Sequence, residues 1–310
     1  MDRHTFLLLL AAVIVGAAAV PGLTALTARG RRNLAHRVAR KVDLALDPPV
    51  GPVVVRRLAR RELIASAAAT AAGLATLLVV APLGVAGEPG QYDLMWVLVA
   101  VLGGRALGAA TAAVYETLGR AARPSVRIAR ASTPAHGDYV PPRERIGAWV
   151  AALAAVVLSL GLAAIDASGL VDLGDPSPMV FVLAALAPVA AVALDEVLAR
   201  RVLSRPQRAE TTLELAWDDA LRARALRDMV TVPLTIGIVA PLVLLGVVGE
   251  GLEGGWPANP AVGLVSGLVA ALLFGVLVVV LVTATLSTAQ RPERYFRQRL
   301  WGAAGPGARP

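Results

Sequence analysis

Arg105 is the residue whose type and position most clearly demand a chemical explanation. It lies inside the long apolar run 94–117. A charge near the centre of a bilayer costs a few kcal/mol even on lenient scales, so Arg105 must face protein or water and have a partner. Either it belongs to a substrate or coupling site, or it makes a structural bond between two helices. The candidate partners are three acidic residues near the inner ends of apolar runs: Glu116, Asp195 and Glu196.

The distance along a helix limits these pairings. Glu116 is about eleven residues from Arg105, roughly 16 Å along one helix, so the two cannot pair directly. Asp195 lies about four residues inside the inner membrane boundary on another helix. Because a long arginine side chain can extend toward the membrane surface, Arg105 could approach Asp195.

Backbone features inside the apolar runs also suggest chemistry. Each proline in a helix frees a carbonyl that can bind an ion, water or a neighbouring hydroxyl group, as in the broken helices of transporters. Simple helix kinks are the alternative explanation. The prolines concerned are Pro188, Pro233 and Pro241. Two Gly-x-x-x-Gly spacings, Gly104 to Gly108 and Gly263 to Gly267, would let helices touch.

The patterns typical of enzymes are missing from the sequence. The three histidines, His4, His36 and His136, lie outside the apolar runs and away from a second plausible metal ligand. There is no cysteine, no glycine-rich phosphate loop and no nucleophile elbow. We therefore predict that the protein is not an enzyme and has no catalytic residues, metal site or cofactor.

The elements that must position these residues are membrane-spanning helices. Hydrophobic residues make up 56% of the chain and its mean hydropathy is +0.66. A bilayer core of about 30 Å requires about 20 apolar residues in a helix. The chain offers that length seven times, so we predict an all-α, polytopic membrane helix bundle of seven transmembrane helices. The runs are 6–28, 63–85, 94–117, 146–167, 178–199, 229–249 and 261–287.

The distribution of charge predicts the orientation of these helices. Of the 30 basic residues, all but Arg3 and Arg105 lie in alternate links, and the links 86–93, 168–177 and 250–260 contain none. The positive-inside rule then places the N-terminus outside and the C-terminus inside a plasma membrane. The same rule explains the net charge of +8, so we expect no nucleic-acid partner. Ala17-Ala18-Ala19 could be a signal cleavage site, but cleavage would place the basic segment outside.

The sequence divides into an N-terminal span and three helical hairpins. Each hairpin begins near an Arg-Glu or Arg-Asp pair and ends at Arg-Pro. These shared ends could come from duplication of one hairpin or could be a coincidence. The predicted segments are the span 1–28, a basic amphipathic segment 29–61, hairpins 62–124, 143–206 and 229–290, a cytoplasmic amphipathic helix 207–228 and a tail 291–310.

The predicted cytoplasmic segments indicate partners. The helix 34–46 should lie on anionic lipids at the inner membrane face. The helix 210–228 should rest on the membrane or dock to a partner through a stripe of Leu213, Trp217 and Leu221. Residues 294–301 alternate arginine with aromatic rings, a pattern that headgroup contacts explain. The stretch 124–142 reads as an irregular loop.

Two functions remain open. The first is the membrane-spanning, permease-like subunit of a transport system, powered by an ion gradient or a separate ATPase. Its possible partners are a cytoplasmic ATPase or other membrane subunits. The second is a non-catalytic scaffold or assembly protein. A polar, water-accessible cavity lined by Arg105 and the kink between Pro233 and Pro241 would favour transport, whereas a dry, solid bundle would favour a scaffold.

Overall fold

A computed structural model describes residues 3–48, 50–80, 91–118, 134–169, 177–205, 207, 209–252, 267 and 294–302. These parts of the chain are helical and contain no strand. The helices are α1 (Arg3–Leu26), α2 (Ala28–Val42), α3 (Gly51–Val80), α4 (Gln91–Leu118), α5 (His136–Tyr139), α6 (Pro142–Ser168), α7 (Pro178–Leu203), α8 (Thr212–Leu252) and α9 (Tyr295–Trp301).

Five helices in the described residues are long and apolar enough to cross a membrane. They carry the first, second, fourth, fifth and sixth predicted spans. The third predicted span lies within α4, and the seventh falls outside the described residues apart from Gly267. The chain is therefore a helical membrane protein, while the number of seven spans and their orientation stay predictions. The stretches that meet these criteria are Leu9–Leu26, Gly51–Leu78, Pro142–Ser168, Pro178–Leu203 and Thr212–Leu244.

Large apolar side chains on these helices point away from the protein. Leu78 is 75% exposed, Leu153 65% and Leu186 61%. A water-soluble protein rarely exposes so many large apolar side chains along whole helices, whereas lipid tails cover such surfaces at no cost.

The described chain divides into two compact units, and α7 and α8 each contribute to both. The first unit contains residues 1–141, 197–232 and 291–310. Its centre is a bundle of α1, α3 and α4. A small apolar core joins the three helices and consists of Ala11, Val15, Ala69, Val97 and Val101.

The contact between α3 and α4 depends on glycine. A Cβ atom added at Gly104 would lie 2.7 Å from the Ala68 carbonyl oxygen, and one at Gly108 would lie 2.6 Å from the Ala68 Cβ. No side chain fits at these distances, so the two backbones touch. This confirms the predicted Gly-x-x-x-Gly contact at 104–108, whereas Gly263 of the second motif lies outside the described residues.

The basic helix α2 follows α1 almost directly. Thr27 caps it, because its hydroxyl oxygen accepts a hydrogen bond of 3.0 Å from the Gly30 amide. The helix ends at Val42 because Asp43 adopts a left-handed conformation with φ 56°. The predicted bounds 34–46 are therefore shifted. Its apolar face, which includes Val38 and Val42, is buried within the first unit instead of lying on lipid.

Residues 212–252 form one helix of 41 residues. The sequence predicts an amphipathic helix that ends at residue 228 and a span that begins at 229, whereas the structure has no break between them. The start is capped, since the Glu214 amide donates to the Thr211 hydroxyl oxygen at 3.1 Å. No glycine or proline interrupts the chain between Thr212 and Val232, so the helix continues. The described residues Pro233 and Pro241 lie inside it.

The second unit contains residues 142–196 and 233–290. Gly237 of α8 allows close contact with α6, because an added Cβ atom would lie 2.6 Å from the Ala151 Cβ. The face of α6 that turns inward carries small residues, including Ala148, Ala152 and Ala155. Small residues at these positions let the helix backbones approach closely.

Candidate functional site

Arg105 pairs with Glu62 on the neighbouring helix. Its Nη2 atom lies 2.6 Å from the Glu62 Oε1 atom, and its Nη1 atom donates to the Ser66 hydroxyl oxygen at 3.4 Å. The Arg105 side chain is 43% exposed and that of Glu62 only 12%. The pair thus links α4 to α3 while the guanidinium group still reaches open space.

This partner differs from the three acidic residues considered from the sequence. Glu62 immediately precedes the predicted span 63–85. In the structure, α3 begins at Gly51 and places Glu62 eleven residues inside the helix, opposite Arg105 in the antiparallel hairpin. The sequence does contain a clue to this pair: Glu62 is an acidic residue beside one apolar run, and Arg105 is the single cation inside the next run.

A second ion pair lies one residue from Glu62. The Arg61 Nη2 atom is 2.7 Å from the Asp228 Oδ2 atom and donates to the Arg224 carbonyl oxygen at 3.1 Å. Only 4% of the Arg61 side chain is exposed. This pair joins α3 to the first half of α8. Its participants sit in the Arg-Glu and Arg-Asp pairs that had marked the starts of two hairpins.

Glu116 belongs to this second cluster. It lies within the electrostatic influence of Arg61 and Arg60, and its Oε1 atom is buried without a hydrogen bond. Beside it, the Arg60 guanidinium lies 4.6 Å from the centre of the Tyr115 ring, a cation–π contact between α3 and α4. Glu116 is therefore a neighbour of Arg60 and Arg61 on α3.

An open cavity of about 960 Å³ adjoins the Arg105–Glu62 pair. Its walls come from the end of α1, from α2, and from single residues of α3, α4 and α8. One wall is apolar and includes Val20, Pro21 and Ala25. The rest is strongly basic and contains one carboxylate, Glu62, among the described lining residues. The cations are Arg29, Arg37, Arg40, Lys41, Arg105 and Arg224.

The stripe predicted to dock a partner is buried in the first unit. Trp217 is 2% exposed and donates its indole N–H to the Ala45 carbonyl oxygen at 2.7 Å. Leu221 is also buried, and Leu213 is half-buried. The link between α2 and α3 thus covers Trp217, and a partner would have to displace that link. Amphipathic periodicity identified the buried face correctly, but it could not identify what covers it.

Asp219 organises the neighbouring segments. Its side chain is fully buried and accepts hydrogen bonds from the Tyr139 hydroxyl at 3.0 Å, the Gln207 amide at 2.6 Å and the Trp301 indole at 3.0 Å. These donors come from α5, from the link before α8 and from α9. The short helix α5 replaces part of the loop predicted at 124–142, and residues 124–133 lie outside the described part.

Helix α9 packs on protein rather than on headgroups. Phe296 is 1% exposed, and the Tyr295 hydroxyl donates to the Gly137 carbonyl oxygen at 2.9 Å. Arg294 donates to the Lys41 carbonyl oxygen at 3.0 Å, and Arg297 donates to that of Val42 at 3.1 Å. Two arginines thus satisfy carbonyls at the end of α2, where a helix favours positive charge.

The remaining predicted site residues lie in the second unit. The Arg145 Nη2 atom is 2.9 Å from the Glu196 Oε1 atom, an ion pair between α6 and α7. Asp195 is 7% exposed and its Oδ1 atom is buried without a hydrogen bond. Pro188, Pro233 and Pro241 are buried inside their helices. None of these residues lines the cavity described above.

In the described part of the chain, no group of three or more histidine, aspartate or glutamate side chains could hold a metal ion. Comparison with protein-family models, with curated proteins and with solved structures finds no match to this chain.

Proposed function

We propose that this chain is the permease-like, membrane-spanning subunit of a transport system whose energy comes from a separate source. The observation that carries the proposal is the open, polar cavity beside Arg105 and Glu62. Arg105 and Glu62 are charged residues on apolar helices, and the cavity beside them is open and large enough for a small organic solute, which supports a solute pathway. The helices around the cavity supply the membrane anchor, and the plasma membrane with the N-terminus outside is the proposed location.

The sequence predicts a cavity lined by both Arg105 and the kink between Pro233 and Pro241, and the cavity found here is lined by Arg105 alone of these residues. Pro233 and Pro241 lie in the other unit, so the pathway that we propose in the first unit runs along Arg105 and the basic face of α2. An ion gradient or a cytoplasmic ATPase would drive transport. Because the Trp217 stripe is covered, an energy-supplying partner would bind an exposed surface elsewhere on the protein.

The scaffold remains the second candidate. Close packing of Gly104 and Gly108 on α3 and the hydrogen bonds around Asp219 favour it, because both build a rigid body without a pathway. A scaffold requires the fold and its outer surfaces, while a permease also requires the side chains that line the cavity. A substitution in the cavity that leaves protein abundance unchanged should therefore abolish the function of a permease and leave the function of a scaffold intact.

The test compares the solute content of host cells and medium by mass spectrometry with and without the protein. Under the transport proposal, deletion shifts the distribution of one class of solute, the wild-type chain restores it, and Arg105→Leu at equal membrane abundance does not. Restoration by Arg105→Leu would favour the scaffold. Purification in mild detergent would identify an ATPase or other subunit that accompanies the chain.

A further inference from the structure

We infer that the cavity between α1 and α2 is a binding site for a phosphate-bearing anion, either the headgroup of an anionic lipid or a soluble phosphate ester. The inference deepens the proposed function, on which it rests in assigning this cavity to a ligand. It begins from the charge of the walls. Six cationic side chains and one carboxylate line the space, so its electrostatic potential favours a multiply charged anion.

The single carboxylate does not oppose this assignment. Glu62 is compensated by Arg105 at 2.6 Å, which leaves the arginines of α2 facing the cavity with no second carboxylate among the described lining residues. Arg105 retains 43% of its side-chain exposure in this pair. Its remaining N–H groups can therefore donate to a ligand without breaking the bond to Glu62.

The chemistry of the cations favours phosphate. Five of the six are arginines, whose planar guanidinium groups bind phosphate oxygens through paired hydrogen bonds. Arg37 and Arg40 are exposed on α2 and lie one turn apart, so both can reach one ligand. The N-terminus of α2 also contributes positive potential to the cavity. Thr27 and Gly30 at this end line the space, and a helix N-terminus attracts negative charge.

The volume and the apolar wall of the cavity indicate what the ligand carries besides its phosphate. A volume of about 960 Å³ far exceeds an inorganic phosphate and suits an organic phosphate of small-molecule size. Val20, Pro21 and Ala25 from the candidate span α1 form a wall that contacts carbon rather than oxygen. A ligand with a phosphate at one end and an apolar or glycerol-like portion at the other matches both walls.

The test uses two pairs of substitutions on one helix. Arg37→Gln/Arg40→Gln removes two cations that line the cavity, and Arg31→Gln/Arg32→Gln removes two exposed cations of α2 that do not. Both change the net charge equally. The full-length chain is purified in detergent and mixed with phosphatidylglycerol or phosphatidylcholine, and native mass spectrometry counts the lipids retained. Binding of glycerol 3-phosphate is measured on the same samples.

The wild type and the Arg31/Arg32 variant should retain phosphatidylglycerol or bind glycerol 3-phosphate, and the Arg37/Arg40 variant should bind about tenfold or more weakly, because charge-assisted hydrogen bonds are lost. Displacement of the lipid by millimolar glycerol 3-phosphate would identify a soluble ligand, and retention a lipid. Equal binding by both variants, or no preference over phosphatidylcholine together with no glycerol 3-phosphate binding, would overturn the inference. Such a failure leaves the Arg105→Leu solute test unaffected, so the two proposals can fail separately.

Discussion

Trp301 donates its indole hydrogen bond to the Asp219 carboxylate at 3.0 Å, across 82 residues of sequence. The bond ties α9, the last helix of the described chain, to the buried face of α8. Tyr139 donates to the other carboxylate oxygen at 3.0 Å, so one acidic side chain joins three separate segments. Several hydrogen bonds to one buried carboxylate hold these segments rigidly together. Loss of the carboxylate would leave each buried donor without an acceptor, which costs stability.

We expect Asp219→Ala to lower the free energy of unfolding by about 2–4 kcal/mol, because it leaves buried donors unsatisfied. The control is Asp218→Ala at the adjacent position, which is partly exposed and contacts the partly exposed Arg57 at 3.9 Å. That variant should lose less than about 1 kcal/mol. Thermal unfolding in detergent measures both, and equal losses would contradict the assigned role of Asp219.

Two glycines of α4 provide a matched test of the helix contact. Gly108→Ala places a methyl group 2.6 Å from the Ala68 Cβ atom, while Gly103→Ala meets nothing within 4 Å. Both substitutions gain the same helix propensity. The Gly108 variant should therefore be less stable than the Gly103 variant by about 1–3 kcal/mol, the usual cost of overpacking. Thermal unfolding of the two purified variants measures this difference in stability. Indistinguishable stabilities would refute close contact at Gly108.

The Arg105–Glu62 pair distinguishes a pathway from a structural bond. Arg105→Leu leaves Glu62, which is 12% exposed, without its cation, and this should cost about 2–4 kcal/mol of stability. The exchanged pair Glu62→Arg/Arg105→Glu restores the attraction and should recover membrane abundance. We expect it to remain inactive in the solute assay because the cation that faces the pathway has moved. An active exchanged pair would show that only the bond matters.

The contact between α9 and α2 should weaken in acid. The hydrogen bond from Arg297 to Asp43, at 2.8 Å, and the charge of Arg297 hold the pKa of the Asp43 carboxyl below its ordinary value. A lowered pKa in the folded state means that the stabilisation is present above the ordinary pKa near 4 and lost as pH falls through the lowered value.

At neutral pH, wild type should therefore melt slightly above Asp43→Asn, by a small margin because Asp43 is 64% exposed. The difference should shrink as the pH falls below the ordinary pKa and vanish once the pH is below the lowered pKa of Asp43, where both side chains are neutral. Thermal melts of the two proteins across this range measure it. A difference that persists unchanged in acid would rule out the ion pair as its source.

The sequence predicted the helices better than their contacts. Apolar length and charge identified α1, α3, α6, α7 and the second half of α8, because burial in lipid imposes a simple length requirement. The glycine spacing at 104–108 correctly predicted a helix contact. The sequence did not reveal that the helix is continuous through residue 228, where no glycine or proline separates the amphipathic stretch from the apolar one.

The candidate site was harder to predict. Arg105 was identified because a charge in an apolar run is unusual, but its partner depends on the register of α3 against α4. Side-chain packing sets that register, including the close approach of Gly104 and Gly108 to Ala68, and hydropathy does not indicate it. The Trp217 stripe and the aromatic residues of α9 were expected to face a partner or lipid. Amphipathic patterns cannot distinguish those surfaces from burial against the chain itself, here against Ala45, Gly137 and Asp219.

The absence of cysteine allows a direct test of the cavity, since any introduced thiol is unique. Thr24→Cys and Leu23→Cys place a thiol at adjacent exposed positions of α1, and only Thr24 lines the cavity. In membrane vesicles of both orientations, the measurement is labelling by a membrane-impermeant sulfonated maleimide. The cysteine at 24 should react in inverted vesicles, whereas the one at 23 should stay unreactive because lipid keeps its thiol from ionising. Equal labelling at the two positions, or none at position 24, would contradict a water-filled cavity within the membrane bundle.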